Sequence, residues 1–212
     1  MSGLSTQDIV TLFNHIASAI EAQKDHLSAL DGVIGDADHG ITMAMGFNAV
    51  TAALAATPPP DPTSAFNTAA KAFLNAVGAS SGPLYATAFM RAAAAVKGKA
   101  TLDRDALVDV LSAMAKGMQD RGKAERGEKT MMDAWLPAAD AAREALAKGE
   151  NAAQCFAAAV AAGEAGAEAT KNMIASKGRS SRLGERSLGH MDPGAASAVI
   201  ILKEMEKAAA GV

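Results

Sequence analysis

Ten consecutive residues, 31–40, hold the side chains of this sequence that are best suited to chemistry. They include three aspartates (Asp31, Asp36 and Asp38), one histidine (His39) and three glycines. Aspartate and glycine are poor helix formers, so the composition predicts a loop. In a tight turn the three carboxylates can converge, where they repel one another unless a cation compensates their charge. Oxygen ligands favour Mg2+, Ca2+ or Mn2+ over zinc, and the stretch therefore predicts a divalent metal site.

A structural alternative explains the same stretch without a metal. A glycine can end one helix, and Asp38 can cap the N-terminus of the next. An EF-hand is excluded, because a loop that began at Asp36 would place Phe47 where that motif requires a bidentate glutamate. A metal site and a pair of helix caps thus remain as the two interpretations.

The composition of the chain indicates an all-α protein. Half of its 212 residues are hydrophobic but only 4% are aromatic, and much of the apolar content is alanine, the best helix former. This length suits one domain with a substantial core, and no repeat or linker divides it, so we expect a single domain over residues 1–212. The net charge of -3 gives no electrostatic basis for binding nucleic acid or an anionic membrane.

The sequence lacks the features of secreted and membrane proteins. Cys155 is the only cysteine, which excludes an internal disulfide and a cysteine zinc cluster. No uninterrupted apolar run reaches the roughly eighteen residues of a membrane span. The N-terminus has no basic segment followed by an apolar one. We therefore expect a cytoplasmic protein.

Hydrophobic periodicity, capping residues and the positions of glycine and proline predict eight helices. They cover about 5–28, 40–56, 64–77, 83–97, 103–119, 130–149, 151–176 and from 193 onwards. Short connections imply that neighbouring helices are antiparallel. We therefore expect the connections after the first, third, fifth and seventh helices to lie at one end of a bundle.

The connections expected at that end are the ones with chemically active side chains. They are the aspartate stretch, a turn of small residues at 78–83, a charged loop at 121–129 and a loop rich in Gly, Arg and Ser at 177–193. The N-termini of the even-numbered helices point to the same end, where their free N–H groups and positive dipole ends suit phosphate oxygens. Carboxylates beside helix N-termini predict a site for a metal and a polyphosphate.

Two of these loops also have simpler explanations. The turn at 78–82 can be a helix C-cap, and the positive run at 177–186 can be a solvated surface loop rather than a phosphate site. The sequence GEKT at 127–130 is not a P-loop, because Glu128 interrupts the required Gly-Lys-Thr and no strand precedes it.

Six short motifs together resemble the L subunit of dihydroxyacetone kinases. They are IGDADHG at 34–40, SGPL at 81–84, GEKTM at 127–131, GRS at 178–180, GERS at 184–187 and GHMDPGA at 189–195. These motifs occur in the order typical of that family and extend over essentially the whole chain. The resemblance implies a closed barrel of eight antiparallel up-and-down helices, with a nucleotide and two Mg2+ ions at one end.

The resemblance also implies roles for individual residues. Asp31, Asp36 and Asp38 are the implied Mg2+ ligands. The implied contacts of the nucleotide, ADP or ATP, are His39, Gly40, Ile41, Thr42, Ser80, Ser81, Gly122, Met131, Arg179, Asp192, Pro193 and Gly194. Arg179 is also the candidate catalytic residue, because a guanidinium beside the transferring group can stabilise charge in the transition state.

In this family a separate K-type subunit or domain holds the acceptor, dihydroxyacetone, so the resemblance implies a phosphotransferase subunit that supplies the phosphoryl donor. His39 is typical of members in which a phosphohistidine carrier of the phosphotransferase system rephosphorylates bound ADP. Thr42 also occurs in the branch that uses exchanging ATP. Both donors remain open, as do a four-carbon ketose as acceptor and a nucleotide and metal sensor without turnover.

Overall fold

The computed structural model describes residues 3–78 and 80–212, and the regular elements in this part of the chain are helical. The α-helices are α1 (Thr6–Ala22), α2 (Lys24–Ile34), α3 (His39–Ala56), α4 (Pro62–Ala76), α5 (Ser81–Ala95), α6 (Arg104–Gly122), α7 (Met132–Ala147), α8 (Ala152–Ala169) and α9 (Pro193–Ala209). Two 3-10 segments, Thr170–Asn172 and Arg179–Ser187, lie between α8 and α9. The all-α prediction is confirmed. None of the described helices is both long and apolar enough to cross a membrane.

Polar side chains that accept backbone N–H groups set the starts of several helices. Ser5 and Asp8 form a capping box at α1, and Asn151 and Gln154 form another at α8. The carboxylates of Asp61, Asp103 and Asp192 cap α4, α6 and α9. Each cap satisfies a donor that helix geometry leaves free. Ala79, within the turn predicted at 78–82, lies outside the described residues.

The structure corrects three details of the predicted helices. The helix expected at 5–28 is two helices, because Gln23 departs from helical geometry (φ -106°, ψ 7°), so the described chain has nine α-helices rather than eight. The second of them, α2, continues to Ile34, which makes Asp31 helical rather than part of a loop. Burial of Leu27, Asp31 and Ile34 on one side of α2 outweighs the low helix propensity of this stretch. The helix expected to reach residue 176 ends at Ala169.

Eight of these helices pack in a ring. α1 packs on α3, each helix from α3 to α8 packs on the next in sequence, and α9 packs back on α1. α2 lies outside this order and contacts α3, α9 and the 3-10 segment Arg179–Ser187. The ring therefore has no free edge, and the connections between helices are left to form its two ends.

The interior of the ring combines a small aromatic cluster with many alanines. Phe47 and Phe73 meet edge to face with centroids 5.3 Å apart, and Tyr85, Phe89, Phe13 and Phe66 extend the cluster. Gly46 adjoins the Phe73 ring at a place that a Cβ would overlap. Buried alanines on α4 to α9 let neighbouring helices approach closely. This close packing gives the loops at the ends of the ring a rigid base.

Loops from distant parts of the sequence meet at one end of the ring, which we call the mouth. The start of α3 reaches α9 through His39 and Ser197. The loop before α3 reaches the second 3-10 segment through Asp36 and Arg179. The loop before α7 reaches the first 3-10 segment through Lys129. These contacts join three of the four connections that were predicted to share one end.

Candidate functional site

The three aspartates of the 31–40 stretch lie together at the mouth. One carboxylate oxygen from each of Asp31, Asp36 and Asp38 lies within 4.8 Å of the others. Asp31 belongs to the last turn of α2 and is buried, whereas the other two lie in the loop before α3 and are exposed. Converging carboxylates without nitrogen or sulfur ligands fit a hard divalent cation such as Mg2+.

Asp31 holds this loop in place with both of its carboxylate oxygens. Oδ2 accepts the N–H groups of Asp38 at 3.0 Å and His39 at 3.2 Å, while Oδ1 packs against Gly35 where a Cβ would overlap it. Asp31 thus supplies the cap of α3, and the side chain of Asp38 makes no cap hydrogen bond. The helix-cap interpretation of Asp38 is therefore wrong, and its carboxylate is left free for a cation.

Arg179 is the member of the positive run at 177–186 that reaches the aspartates. Its guanidinium pairs with Asp36 and lies 3.8 Å from Asp38. It begins the 3-10 segment that packs against α2. Arg179, Arg182 and Arg186 are all exposed, but of these three only Arg179 pairs with the aspartates. Arg179 therefore brings a fixed positive charge to the place where the carboxylates converge.

His39 connects the start of α3 to α9. Its Nε2 lies 2.9 Å from Oγ of Ser197, a fully buried residue of α9. The Ser197 hydroxyl donates to the Gly194 carbonyl at 3.0 Å, which leaves its oxygen free to accept the proton on His39 Nε2. Burial lowers the pKa of His39, and the nearby charge of Asp31 opposes that shift. Burial thus favours the neutral form of the imidazole.

The N-terminus of α9 forms another side of the mouth. Oδ2 of Asp192 accepts the Ala195 N–H at 2.8 Å, and Pro193 occupies the first turn, where its missing N–H costs no helix bond. A Cβ built on Gly194 would lie 3.3 Å from the Cβ of Met131, so these two predicted contacts are neighbours. Burial raises the pKa of Asp192 to about 7, against the lowering effect of its hydrogen bond from Ala195.

Comparison with known proteins decides the family. A model of the DAK2 domain matches residues 33–207. The chain belongs to the DAK2 domain family. This DAK2 chain is 40% identical over 206 residues to the ADP-binding subunit DhaL of PEP-dependent dihydroxyacetone kinase 2 from Listeria innocua, with 92% of this chain and 95% of that subunit covered. It is 37% identical over 206 residues to the corresponding subunit from Escherichia coli, with 97% and 98% covered.

A solved structure shares the fold of this DAK2 domain. The dihydroxyacetone kinase of C. freundii in complex with AMP-PNP and Mg2+ superimposes with a TM-score of 0.73 at 25% sequence identity. The match covers 98% of this chain but 34% of that kinase, so the chain spans about a third of the longer protein.

The first turn of α3 contains three further predicted nucleotide contacts of this DAK2 domain. Gly40 is buried against α2, where a Cβ would overlap the Lys24 carbonyl oxygen. Ile41 is 57% exposed, and Thr42 is half-buried. Helix packing thus requires a glycine at position 40. It places no such limit on Ile41 and Thr42, whose side chains can contact a ligand at the mouth.

Three predicted contacts lie on the α5 and α6 side of the ring. Ser80 directly precedes α5, Ser81 begins it, and Gly122 is the last residue of α6. A Cβ on Gly122 would lie 3.0 Å from Leu84 Cδ2, which brings the end of α6 beside the start of α5. Among the described residues, no side-chain hydrogen bond joins these positions to the aspartates. Their place in the site remains a prediction from the resemblance.

Several residues outside the predicted site hold the mouth of this DAK2 domain together. Asp133 lies in the first turn of α7, and its carboxylate accepts the N–H groups of Thr130 at 2.9 Å and of Gly127 at 2.5 Å. Lys129, in the GEKTM motif, is buried, and its side chain contacts the connection between α8 and α9. Ser197 had no local signal, because it is a small residue in an alanine-rich helix.

Proposed function

We propose that this chain is the nucleotide-binding L subunit of a dihydroxyacetone-type kinase. In that role it transfers a phosphoryl group from a Mg2+-bound nucleotide to a short ketose. The observation that carries this proposal is the convergence of three aspartate carboxylates within 4.8 Å, beside an arginine and the N-terminus of α9. Membership of the DAK2 family and relatives named as ADP-binding subunits support it.

In the proposed site, Asp31, Asp36 and Asp38 hold two Mg2+ ions. Such ions neutralise the polyphosphate and the charge that develops during phosphoryl transfer. Gly35 fits this assignment, because the space that a Cβ would fill is taken by the Asp31 carboxylate. Arg179 is assigned as the catalytic residue, since its guanidinium lies among the same carboxylates and reaches the phosphate that would bind there.

The nucleotide is assigned to the remaining sides of the mouth. The proposed contacts are His39, Gly40, Ile41, Thr42, Ser80, Ser81, Gly122, Met131, Arg179, Asp192, Pro193 and Gly194. The N-termini of α3 and α9 support this assignment, because their free N–H groups and dipoles favour phosphate oxygens. The imidazole of His39 adds a polar group at the same end of the ring. Residues 1–212 act as one such domain, a proposal that the single hydrophobic core supports.

A K-type partner subunit is proposed to hold the ketose. The described chain exposes apolar side chains on segments that border the mouth: Ile41 on α3, Ile174 between the 3-10 segments and Leu188 before α9. Exposed apolar groups around a polar site are typical of a surface that a partner covers. The phosphoryl donor is proposed to be a phosphohistidine carrier that rephosphorylates bound ADP, since the relatives are named as PEP-dependent kinases.

Calorimetric titration with ADP, in Mg2+ and in EDTA, tests the proposed site. Binding should require Mg2+, because a polyphosphate and three carboxylates repel one another without a cation. Asp36→Asn should weaken ADP binding at least about tenfold, or roughly 1.4 kcal/mol. Asp25→Asn, on the exposed face of α2, is the matched control and should bind normally. Equal affinity for ADP in Mg2+ and in EDTA would contradict the proposal.

A further inference from the structure

Lys129 is buried, although lysine is almost never fully buried unless it is paired. Its side chain is 1% exposed, and its backbone adopts a φ of 60°, in the left-handed region. It lies in the loop between α6 and α7, inside the GEKTM motif. A buried charge and an uncommon backbone conformation at one residue both need compensating contacts.

Those contacts come from the connection between α8 and α9. Nζ of Lys129 donates to the carbonyl oxygens of Thr170 and His190, both at 2.5 Å. The hydroxyl of Thr170 in turn accepts the N–H of Asp192, the cap of α9, at 2.9 Å. Lys129 is thus linked to the start of α9 twice, once through the His190 carbonyl and once through Thr170.

Two buried carboxyl groups lie near Lys129. Asp133 and Asp192 are 3% and 9% exposed, and both favour the charged form of Lys129 against the effect of burial, which lowers its pKa. Asp133 accepts N–H groups of the loop before α7, and Asp192 caps α9. Removing the ammonium would leave the buried carbonyl groups of Thr170 and His190 without this donor.

We propose that Lys129 is a positioning residue of the nucleotide site. It holds residues 192–194, at the start of α9, against the loop that ends in Met131. The ammonium points at backbone carbonyls rather than into the mouth, so it acts through these segments and not through contact with phosphate. Met131 and Gly194 are neighbours across this junction. This role rests on the proposed function, because it concerns residues assigned to the nucleotide.

Lys129→Met tests the proposal, since methionine keeps the apolar stem and removes the charge and the donors. Three properties of the variant are measured: ADP affinity in Mg2+, binding of Mg2+ alone, and amide hydrogen exchange along the chain. We expect ADP affinity to fall at least about tenfold, Mg2+ binding to stay unchanged, and exchange to rise at residues 189–195. Lys203→Met is the matched control, because Lys203 joins α9 to α8 through an exposed pair with Glu164. In Lys203→Met, ADP affinity, Mg2+ binding and hydrogen exchange should equal those of the unmodified protein.

Wild-type ADP affinity in a folded Lys129→Met variant would overturn the positioning role. A uniform rise in exchange over the whole chain would overturn it too, because that result marks general destabilisation. If Lys129→Met does not fold, Lys129→Gln, which retains an N–H donor, is measured by the same criteria. Failure of both variants to fold would assign Lys129 to stability alone and reject the proposal. Absence of ADP binding by the unmodified protein would instead reject the proposed function itself.

Discussion

The two oxygens of the Asp31 carboxylate have different neighbours, and together they fix the loop that carries Asp36 and Asp38. Oδ2 accepts two N–H groups at the start of α3, while Oδ1 faces Gly35. A residue that caps a helix from the preceding helix fixes the loop between them. Asp36 and Asp38 therefore keep their carboxylates free of cap bonds, while the two hydrogen bonds to Asp31 fix the orientation of its carboxylate.

Arg179 and a metal ion compete for the same carboxylates, which gives a prediction at the scale of this residue. Arg179→Ala should bind Mg2+ more tightly than the unmodified protein when nucleotide is absent, because a competing cation has been removed. The same variant should transfer phosphate at least about tenfold more slowly, with a smaller change in ADP affinity. Metal titration and single-turnover kinetics measure the two effects.

Arg182→Ala is the control for that experiment, because Arg182 is exposed in the same 3-10 segment. It should alter neither Mg2+ binding nor turnover by more than a small factor. Near-normal single-turnover kinetics of Arg179→Ala would show that its assignment as the catalytic residue is wrong.

At the scale of an element, the start of α9 concentrates buried polar groups. Asp192 caps the helix by accepting the Ala195 N–H, and its own backbone N–H donates to the Thr170 hydroxyl, which lies beside Lys129. A carboxyl whose pKa is raised in the folded protein binds its proton more tightly there than in the unfolded chain. Its contribution to stability is therefore fully present below about pH 4 and is lost as the pH rises to about 7.

Asp192→Asn should remove this pH dependence while keeping a residue that caps helices well. The free energy of unfolding of the variant, relative to the unmodified protein, should increase between pH 4 and pH 7. The scale is about 1.4 kcal/mol for each unit by which the pKa is displaced. Denaturant unfolding at several pH values measures it. Asp103→Asn, at the exposed cap of α6, is the control. A difference that does not change with pH would contradict the assigned pKa.

At the scale of the whole molecule, the ring places chemically active loops from separate parts of the sequence at one mouth. A nucleotide held between the aspartates, the start of α3 and the start of α9 contacts several rigid segments at once. Such enclosure slows dissociation more than it changes association, because differences in affinity between related complexes lie mostly in the off-rate. A slowly released ADP suits a coenzyme that is rephosphorylated in place.

Retention of ADP during turnover follows from this arrangement and can be measured. The protein is loaded with radiolabelled ADP, mixed with the K-type subunit, ketose and phosphohistidine carrier, and chased with excess unlabelled ATP. The label should remain bound over many turnovers, and turnover should require the carrier. Rapid loss of label together with ATP-supported turnover in the absence of the carrier would favour the alternative of exchanging ATP.

The sequence by itself determined the helical class, most helix positions and the set of loops that carry chemistry. Alanine content, capping residues and apolar periodicity are local signals, and local signals are enough to define helices. The convergence of Asp31, Asp36 and Asp38 was also predicted, because the glycines and aspartates of this stretch favour a tight turn, although Asp31 lies in α2 rather than in the loop. The alternative in which Asp38 caps α3 is wrong, since a carboxylate from the preceding helix takes that place.

Only the tertiary structure decided which polar residues support these loops. Arg179, Arg182 and Arg186 are alike in sequence, and packing of their segment against α2 brings only the first to the aspartates. The same holds for Lys129, whose burial depends on carbonyl groups about 40 to 60 residues away in the chain. Such contacts follow from the closure of the ring, because each packed helix limits where its neighbours can lie. The spacing of residues in the sequence does not predict them.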